Sequence, residues 1–344
     1  MYVCIVDNDG DEIYSTLPEN LVSAFEKCKV ENQTFVKDGK KYRDGKISNS
    51  NGSVYLITEE REVVDRPRLF KEKLKVYLDF IPTIKNVEHR ARAKAETHNK
   101  RLLHDLTALN GHNIQEVFNI IPEEELRTKK EGRKKFIEDQ IKQQIQKVPD
   151  MIMNIMKNNA GIKMEFSVAE KLYGANHKVE KQKHNVRRAL MNILHLFFQD
   201  FADKGIYVNI EESEIELMLD YGIFQVAMYQ IFDNAVKYAM SNSDIKISFF
   251  MKDIYFCLAI DMTSLKMEED ELNKLTQEGF CGRQAKKLKK NGKGIGLFNV
   301  KKVLALMHIK IDISPMNNSQ TILNGIEYGN NRFLIKFPKN LLVS

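Results

Sequence analysis

The stretch from Pro67 to Ile121 holds no glycine before Gly111 and shows helical periodicity, which restricts the chain to folds that can house a very long helix. Projected at 100° per residue, Ala91, Ala95, Leu102, Leu106 and Leu109 fall in one stripe. Pro122 closes the segment. A second helical stretch, about Arg133 to Asn158, spaces Ile137, Ile141, Ile145, Val148, Ile152 and Ile155 by threes and fours, with a kink expected at Pro149. Such a hairpin has an apolar stripe that one partner helix cannot bury. The pattern predicts a four-helix bundle built by a homodimer.

At 344 residues the chain has room for two or three domains, and its 43% hydrophobic and 29% charged composition is that of an ordinary globular protein. Runs such as Ile254 to Ile260 fall far short of the roughly 20 apolar residues of a membrane helix. The opening "MYVCIVDNDG" has no basic region ahead of its apolar stretch, so neither a membrane span nor a secretion signal is expected. The scattered Cys4, Cys28, Cys257 and Cys281 form no C-x-x-C pair, which argues against zinc or a disulfide framework and suits a cytoplasmic address. The formal net charge is +6, and basic residues concentrate in two stretches, 127 to 135 and 282 to 293. The first suits a solvated face better than a nucleic-acid site.

Residues 1–62 alternate short strands with turns, with one helix expected from Glu19 to Lys29. The opening "VCIVDNDGDEIYS" resembles the first hairpin of PAS-type sensor domains. "DNDG" lacks the spacing and the distant glutamate of a calcium loop. Residues 63–183 carry the hairpin and a linker, with 160 to 184 unassigned. Residues 184–344 read as mixed α/β: helices over Asn185–Asp203 and Tyr221–Met240, strands "YVNIE", "ELMLD", "IKISFFM" and "IYFCLAID", a glycine loop with its helix, and the strands "IKIDIS" and "RFLIKF". The fold class is therefore α+β multidomain, ending in an α/β sandwich.

Three features of this last segment carry chemistry. On the helix "MYQIFDNAVKYAM", Gln230, Asn234 and Lys237 recur by four and three on one side, opposite Phe224, Met228, Ile231 and Ala235. An amide oxygen is a hard ligand for Mg²⁺ and an ammonium suits phosphate, although a plain solvated face has the same pattern. "CLAIDMTS" ends a strand in Asp261, followed by Thr263 and Ser264; a carboxylate there could accept from an exocyclic amine, or simply cap a turn. In "NGKGIGLFNV", Gly292, Gly294 and Gly296 allow backbone N–H groups close to an anion, just before a helix starting near Leu297; a ligand-free turn reads the same way. The loop is neither a Walker loop nor a dinucleotide fingerprint.

In order and spacing these features resemble the ATP-binding domain of sensor histidine kinases, in the wider ATPase family with gyrase, MutL and the large cytosolic chaperones. "QIFDNAVKYA" matches the N box, "DMTS" stands where the adenine-binding box lies, Phe280 in "QEGFCGR" matches the F box, and "GKGIGL" matches the last glycine box. The resemblance covers about 160 residues. It implies ATP and Mg²⁺ as cofactors, with Asn234 on the metal, Lys237 on a phosphate, Gln230 beside them and Tyr238 flanking the nucleotide. Asp261 would read adenine with Thr263 in support, and Gly292, Gly294, Gly296 and Leu297 would wrap the phosphates under a lid formed by 281–291. Two departures stand out: Gln230 replaces the first N-box Asn, and the second box lacks glycines.

A histidine kinase needs an imidazole beside an acid on its bundle helix. "RLLHDLTALNGHNIQEV" offers His104 and Asp105, a pair resembling the H box without its proline, and His104 projects away from Leu102, Leu106 and Leu109. His89, His98 and His112 are weaker candidates. The resemblance thus implies a dimeric kinase that phosphorylates His104 and passes the phosphate to a separate response regulator. Its rivals are a non-catalytic nucleotide-binding signalling module and a chaperone- or MutL-like ATPase.

Overall fold

The computed structural model describes residues 1–18, 20–21, 32–128, 131–174, 178–288 and 292–343, without the side chains of 317–319. It divides into two compact units, Met1–Arg101 and Leu102–Ser344. No described helix is long and apolar enough to cross a membrane.

The first unit is a five-stranded antiparallel sheet, order β2-β1-β5-β4-β3, made of β1 (Tyr2–Val6), β2 (Glu12–Ser15), β3 (Gln33–Lys37), β4 (Lys40–Asn49) and β5 (Gly52–Thr58). Alternation sorts its two faces. Val3, Ile5, Val54 and Leu56 meet Phe70, Leu74 and Ile81, while Cys4, Tyr55 and Ile57 face the other way with Leu21. The helix expected over Glu19–Lys29 lies almost entirely outside the described residues. Phe70, Leu74 and Ile81 repeat by four and seven on α2 (Pro67–Phe118), which follows the short α1 (Arg61–Val64) and runs through Pro82. The expected long helix is therefore present, 52 residues in length.

In the second unit the remainder of α2 leads through α3 (Glu123–Thr128) to α4 (Arg133–Gln143) and α5 (Val148–Tyr173). The single helix expected for 133–158 is broken at Gln144–Lys147. Pro149 sits in the first turn of α5 and starts a helix instead of kinking one, since its missing N–H is an orphan there anyway. Ile120, Ile121 and Phe136 close the turn of the hairpin. The unassigned stretch 160–184 becomes the end of α5, whose Met164 and Val168 enter the main core, and then β6 (Gln182–Asn185).

That core lies between one sheet and a helical layer. The sheet runs β11-β12-β10-β9-β7, with β7 (Tyr207–Ile210) parallel to β9 (Asp244–Lys252) and the rest, β10 (Tyr255–Leu265), β11 (Lys310–Leu323) and β12 (Ile326–Pro338), antiparallel. A two-stranded ribbon joins β6 to β8 (Glu216–Leu219). The helical layer contains α6 (Val186–Leu194), α7 (Phe198–Asp203), α8 (Tyr221–Tyr238) and α10 (Gly296–Ala305), with the short α9 (Arg283–Lys287) ahead of the glycine loop. Phe224, Ile231, Phe232, Val300 and Leu304 from helices meet Phe256, Leu258, Ile260 and Ile335 from strands, all essentially inaccessible. Burying such a side chain contributes roughly 1.5–3 kcal/mol, so this layer interface dominates the stability of the unit.

Candidate functional site

Helix α8 is anchored where it starts. Asp220 is buried, its Oδ1 caps the helix by accepting from Ile223 N at 3.1 Å, and its Oδ2 accepts from Lys171 Nζ at 2.7 Å and Glu180 N at 3.0 Å. Burial raises the pKa of this carboxyl, but the ammonium and the two backbone donors outweigh it and hold it below the ordinary range. One side of α8 fills the core; the other presents Gln230, Asp233, Asn234, Lys237 and Tyr238 to a cavity of about 510 Å³. Lys237 pairs with Asp233 one turn back.

The glycine loop forms the facing wall. Gly294 has φ +66°, its carbonyl accepts from Gly279 N at 3.0 Å, and a Cβ there would lie 2.5 Å from the Phe280 carbonyl oxygen. Only glycine fits that position. A Cβ at Gly296 would stand 2.9 Å from Gln230 Oε1 and 3.4 Å from Asn234 Nδ2, and one at Gly292 would stand 3.1 Å from the Tyr238 hydroxyl. The loop backbone thus closes directly onto the polar face of α8, and α10 begins at Gly296, so its first turn lies at the cavity wall with its N-terminal end toward the cavity. Phe280, Leu297 and Lys293 also line the cavity, and Cys281 Sγ lies 2.9 Å from the Gly292 carbonyl. Residues 289–291 of the expected lid are outside the described residues.

Asp261 and Thr263 are not part of this cavity, contrary to the sequence expectation. In β10 the core residues Phe256, Leu258, Ile260 and Met262 face the helices, so the odd-numbered positions face away. Asp261 instead accepts from Arg332 Nε and Nη2, its cross-strand neighbour, at 2.6 Å each, and Thr263 Oγ1 donates to Asn330 Oδ1 at 2.8 Å. Met262 and Ser264 take the inward places. Behind Ser264 the buried Asn331 amide donates to Ser264 Oγ at 2.8 Å and to the Leu265 carbonyl at 3.0 Å. Met262, Leu265, Met267 and Phe333 complete an apolar share of the lining.

The second half of α2 reaches the same cavity through Asp105, Leu109 and His112, one face at spacings of four and three. His104 lies beside it, 69% exposed, with Nδ1 3.0 Å from Asp105 Oδ1. Lys293 Nζ is 3.0 Å from the same Nδ1 and pairs with Asp105. Glu165 on α5 lines the cavity too; burial, then the nearby Asp105, push its carboxyl up to about 6, against the pull of Lys293. His89 and His98 belong to the first unit. Glu165 was not foreseen as a site residue, Ser264 only as a hydroxyl beside Asp261, and Lys293 only as part of the basic stretch 282 to 293. The signal for Glu165 existed: Gly161, Met164 and Val168 recur by three and four around it.

Residues 220–340 match the model of the "Histidine kinase-, DNA gyrase B-, and HSP90-like ATPase" family. They form an ATPase domain of that family. The match begins at the cap of α8 and ends beyond β12, so it takes in the N-box helix, the glycine loop and the sheet between them. No curated protein sequence matches the chain significantly. Among solved structures, the ATPase domain and its surroundings are similar to the catalytic domain of histidine kinase ThkA, at 15% identity over 46% of this chain and 96% of that one, TM-score 0.38. Full-length ShkA in complex with AMPPNP shares 14% identity over 72% of this chain and 46% of that one, TM-score 0.44. ThkA in complex with the response regulator protein TrrA shares 15% over 98% and 96%, TM-score 0.40.

Proposed function

We propose that the chain is a histidine kinase that transfers the γ-phosphoryl group of ATP to His104 and then to an aspartate of a separate response regulator. The observation that carries the reading is that His104 and its acid Asp105 sit at the rim of the ATPase-domain cavity and meet Lys293 of its glycine loop. The donor set suits the ligand. About 510 Å³ falls within the usual range for small-molecule sites, and glycine positions that a Cβ would fill make room for phosphates. Among the described residues no three His, Cys, Asp or Glu side chains gather as a metal site. Mg²⁺ would be held by the Asn234 amide oxygen and phosphate oxygens, since this hard ion takes oxygen ligands and shares them with substrate phosphates. When bound, it neutralises charge that develops on the phosphoryl oxygens.

The residues of the chain then divide the work. Lys237 and the loop N–H groups hold the phosphates, and Phe280 and Leu297 line the cavity beside them. Tyr238 flanks the nucleotide. With Asp261 turned away, the base meets Met262, Ser264 and Leu265, and Asn331 fixes Ser264. His104 Nε2 attacks the γ-phosphorus in line. The bond from that phosphorus to the bridging oxygen breaks, ADP leaves with the electron pair, and the Nδ1 proton passes to Asp105. Apolar side chains left exposed on the hairpin, Leu103, Ile114, Ile152 and Met156 among them, support a homodimeric bundle. The N-terminal sheet would serve as a PAS-like sensor.

The test is incubation with Mg²⁺ and γ-labelled ATP. Acid-labile label is expected in the wild type and in His98→Gln and lost in His104→Gln. Tight nucleotide binding without label would overturn the reading and leave a non-catalytic signalling module, which the outward turn of Asp261 would favour.

A further inference from the structure

A neutral imidazole carries one N–H, and His104 Nδ1 has two partners that want different things from it. Asp105 Oδ1, at 3.0 Å, can only accept, so this contact needs the proton on Nδ1. Lys293 Nζ, also at 3.0 Å, can only donate, so this contact needs a lone pair on Nδ1 and sends the proton to Nε2. The two hydrogen bonds exclude one another. They also select opposite reactivities, because only the Nδ1–H form leaves a lone pair on Nε2 for attack on phosphorus. Lys293 is held in place by its pairing with Asp105. It stands between Gly292 and Gly294, the second of which is pinned through Gly279 N, so its side chain can swing from a fixed base. It lines the cavity, and any phosphate brought there offers the ammonium a second anionic partner.

We propose that Lys293 is a positioning residue that sets the tautomer of His104: docked on Asp105 and Nδ1 it holds the ring in the Nε2–H form, and phosphate oxygens in the cavity draw it off and release the Nδ1–H form. Its consequence, that an occupied site arms its own acceptor, rests on the kinase reading; the tautomer change does not. Asp105 then serves in turn as the anchor of Lys293 and the acceptor of the Nδ1 proton.

The test is nitrogen-15 NMR of the full chain labelled at histidine, at pH 8, with His104 assigned from the His104→Gln spectrum. Without nucleotide the wild type should show the Nε2–H form, and with Mg²⁺ and a non-hydrolysable ATP analogue the Nδ1–H form. Lys293→Ala, and Lys293→Met as a variant of matched length, should show Nδ1–H without nucleotide. A parallel reaction with phosphoramidate, which needs no nucleotide, should label His104 about tenfold faster in these variants, the shift that one charge-assisted hydrogen bond can hold. An Nδ1–H wild type without nucleotide, or variants indistinguishable from wild type in both measurements, would overturn the proposal. A tautomer change without labelling by ATP would sink the kinase reading and leave the role of Lys293 standing.

Discussion

Helix α8 and strand β10 form adjoining walls of one cavity, and the residues singled out from sequence line it on the first and face away from it on the second. On α8, positions 230, 234 and 237 share a face because any helix repeats every 3.6 residues, and all three reach the cavity. On β10, side chains alternate, so a reading displaced by one residue moves a group to the other face of the sheet. Asp261 was placed from motif order, and order carries no parity. The carboxylate went to Arg332 and the cavity received Met262 and Ser264.

The largest effect should come from the helix. Asn234→Ala is expected to lower Mg²⁺-dependent phosphoryl transfer at least about 100-fold, the usual loss for one group that stabilises developing charge. Steady-state labelling at saturating ATP measures it. Retention of half the activity would mean that α8 is only a solvated face.

Next comes the loop that closes the two walls. Gly294→Ala must leave φ +66° and avoid the Phe280 carbonyl, an overpacking cost of about 1–3 kcal/mol, so nucleotide affinity by calorimetry should fall about tenfold or more.

Glu165→Gln probes the α5 wall through pH. The folded carboxyl titrates near 6 against an ordinary 4.5, so between these values the folded state binds more protons than the unfolded one. Stability therefore falls as pH rises through that window and stays lower above it. The variant should exceed wild type by about 2 kcal/mol at pH 8 and match it at pH 4, from denaturant midpoints at the two pH values. A constant difference across pH would show that the carboxyl is not perturbed.

The smallest effect should come from Asp261→Asn, where nucleotide affinity stays within about twofold while stability drops by about 1 kcal/mol with the loss of the partly exposed Arg332 pair. A loss of affinity as large as the roughly tenfold one expected for Gly294→Ala would erase the contrast between helix and strand.

Two expectations failed for local reasons that periodicity does not carry. Pro149 was legible as a helix disruption, but whether a proline kinks or starts a helix depends on where the preceding turn stops, here Gln144–Lys147. The stretch 160–184 has no assignment from sequence, because the apolar positions of 160–173 are buried by the ATPase domain and not by the hairpin, so their periodicity runs past the end expected for the hairpin.

What the sequence determined is whatever rests on a repeat or on a backbone requirement: the 52-residue helix, the aligned face of Gln230, Asn234 and Lys237, and a glycine loop whose residue 294 tolerates no side chain. It also brought forward His104 and Asp105 as neighbours. Only the tertiary structure decided which face of β10 looks inward, that Glu165 joins the cavity, and that Lys293 meets His104 across 189 residues of chain. Local chemistry repeats along the chain, but parity and long-range contact are settled by packing between elements, and no short stretch of sequence contains both partners.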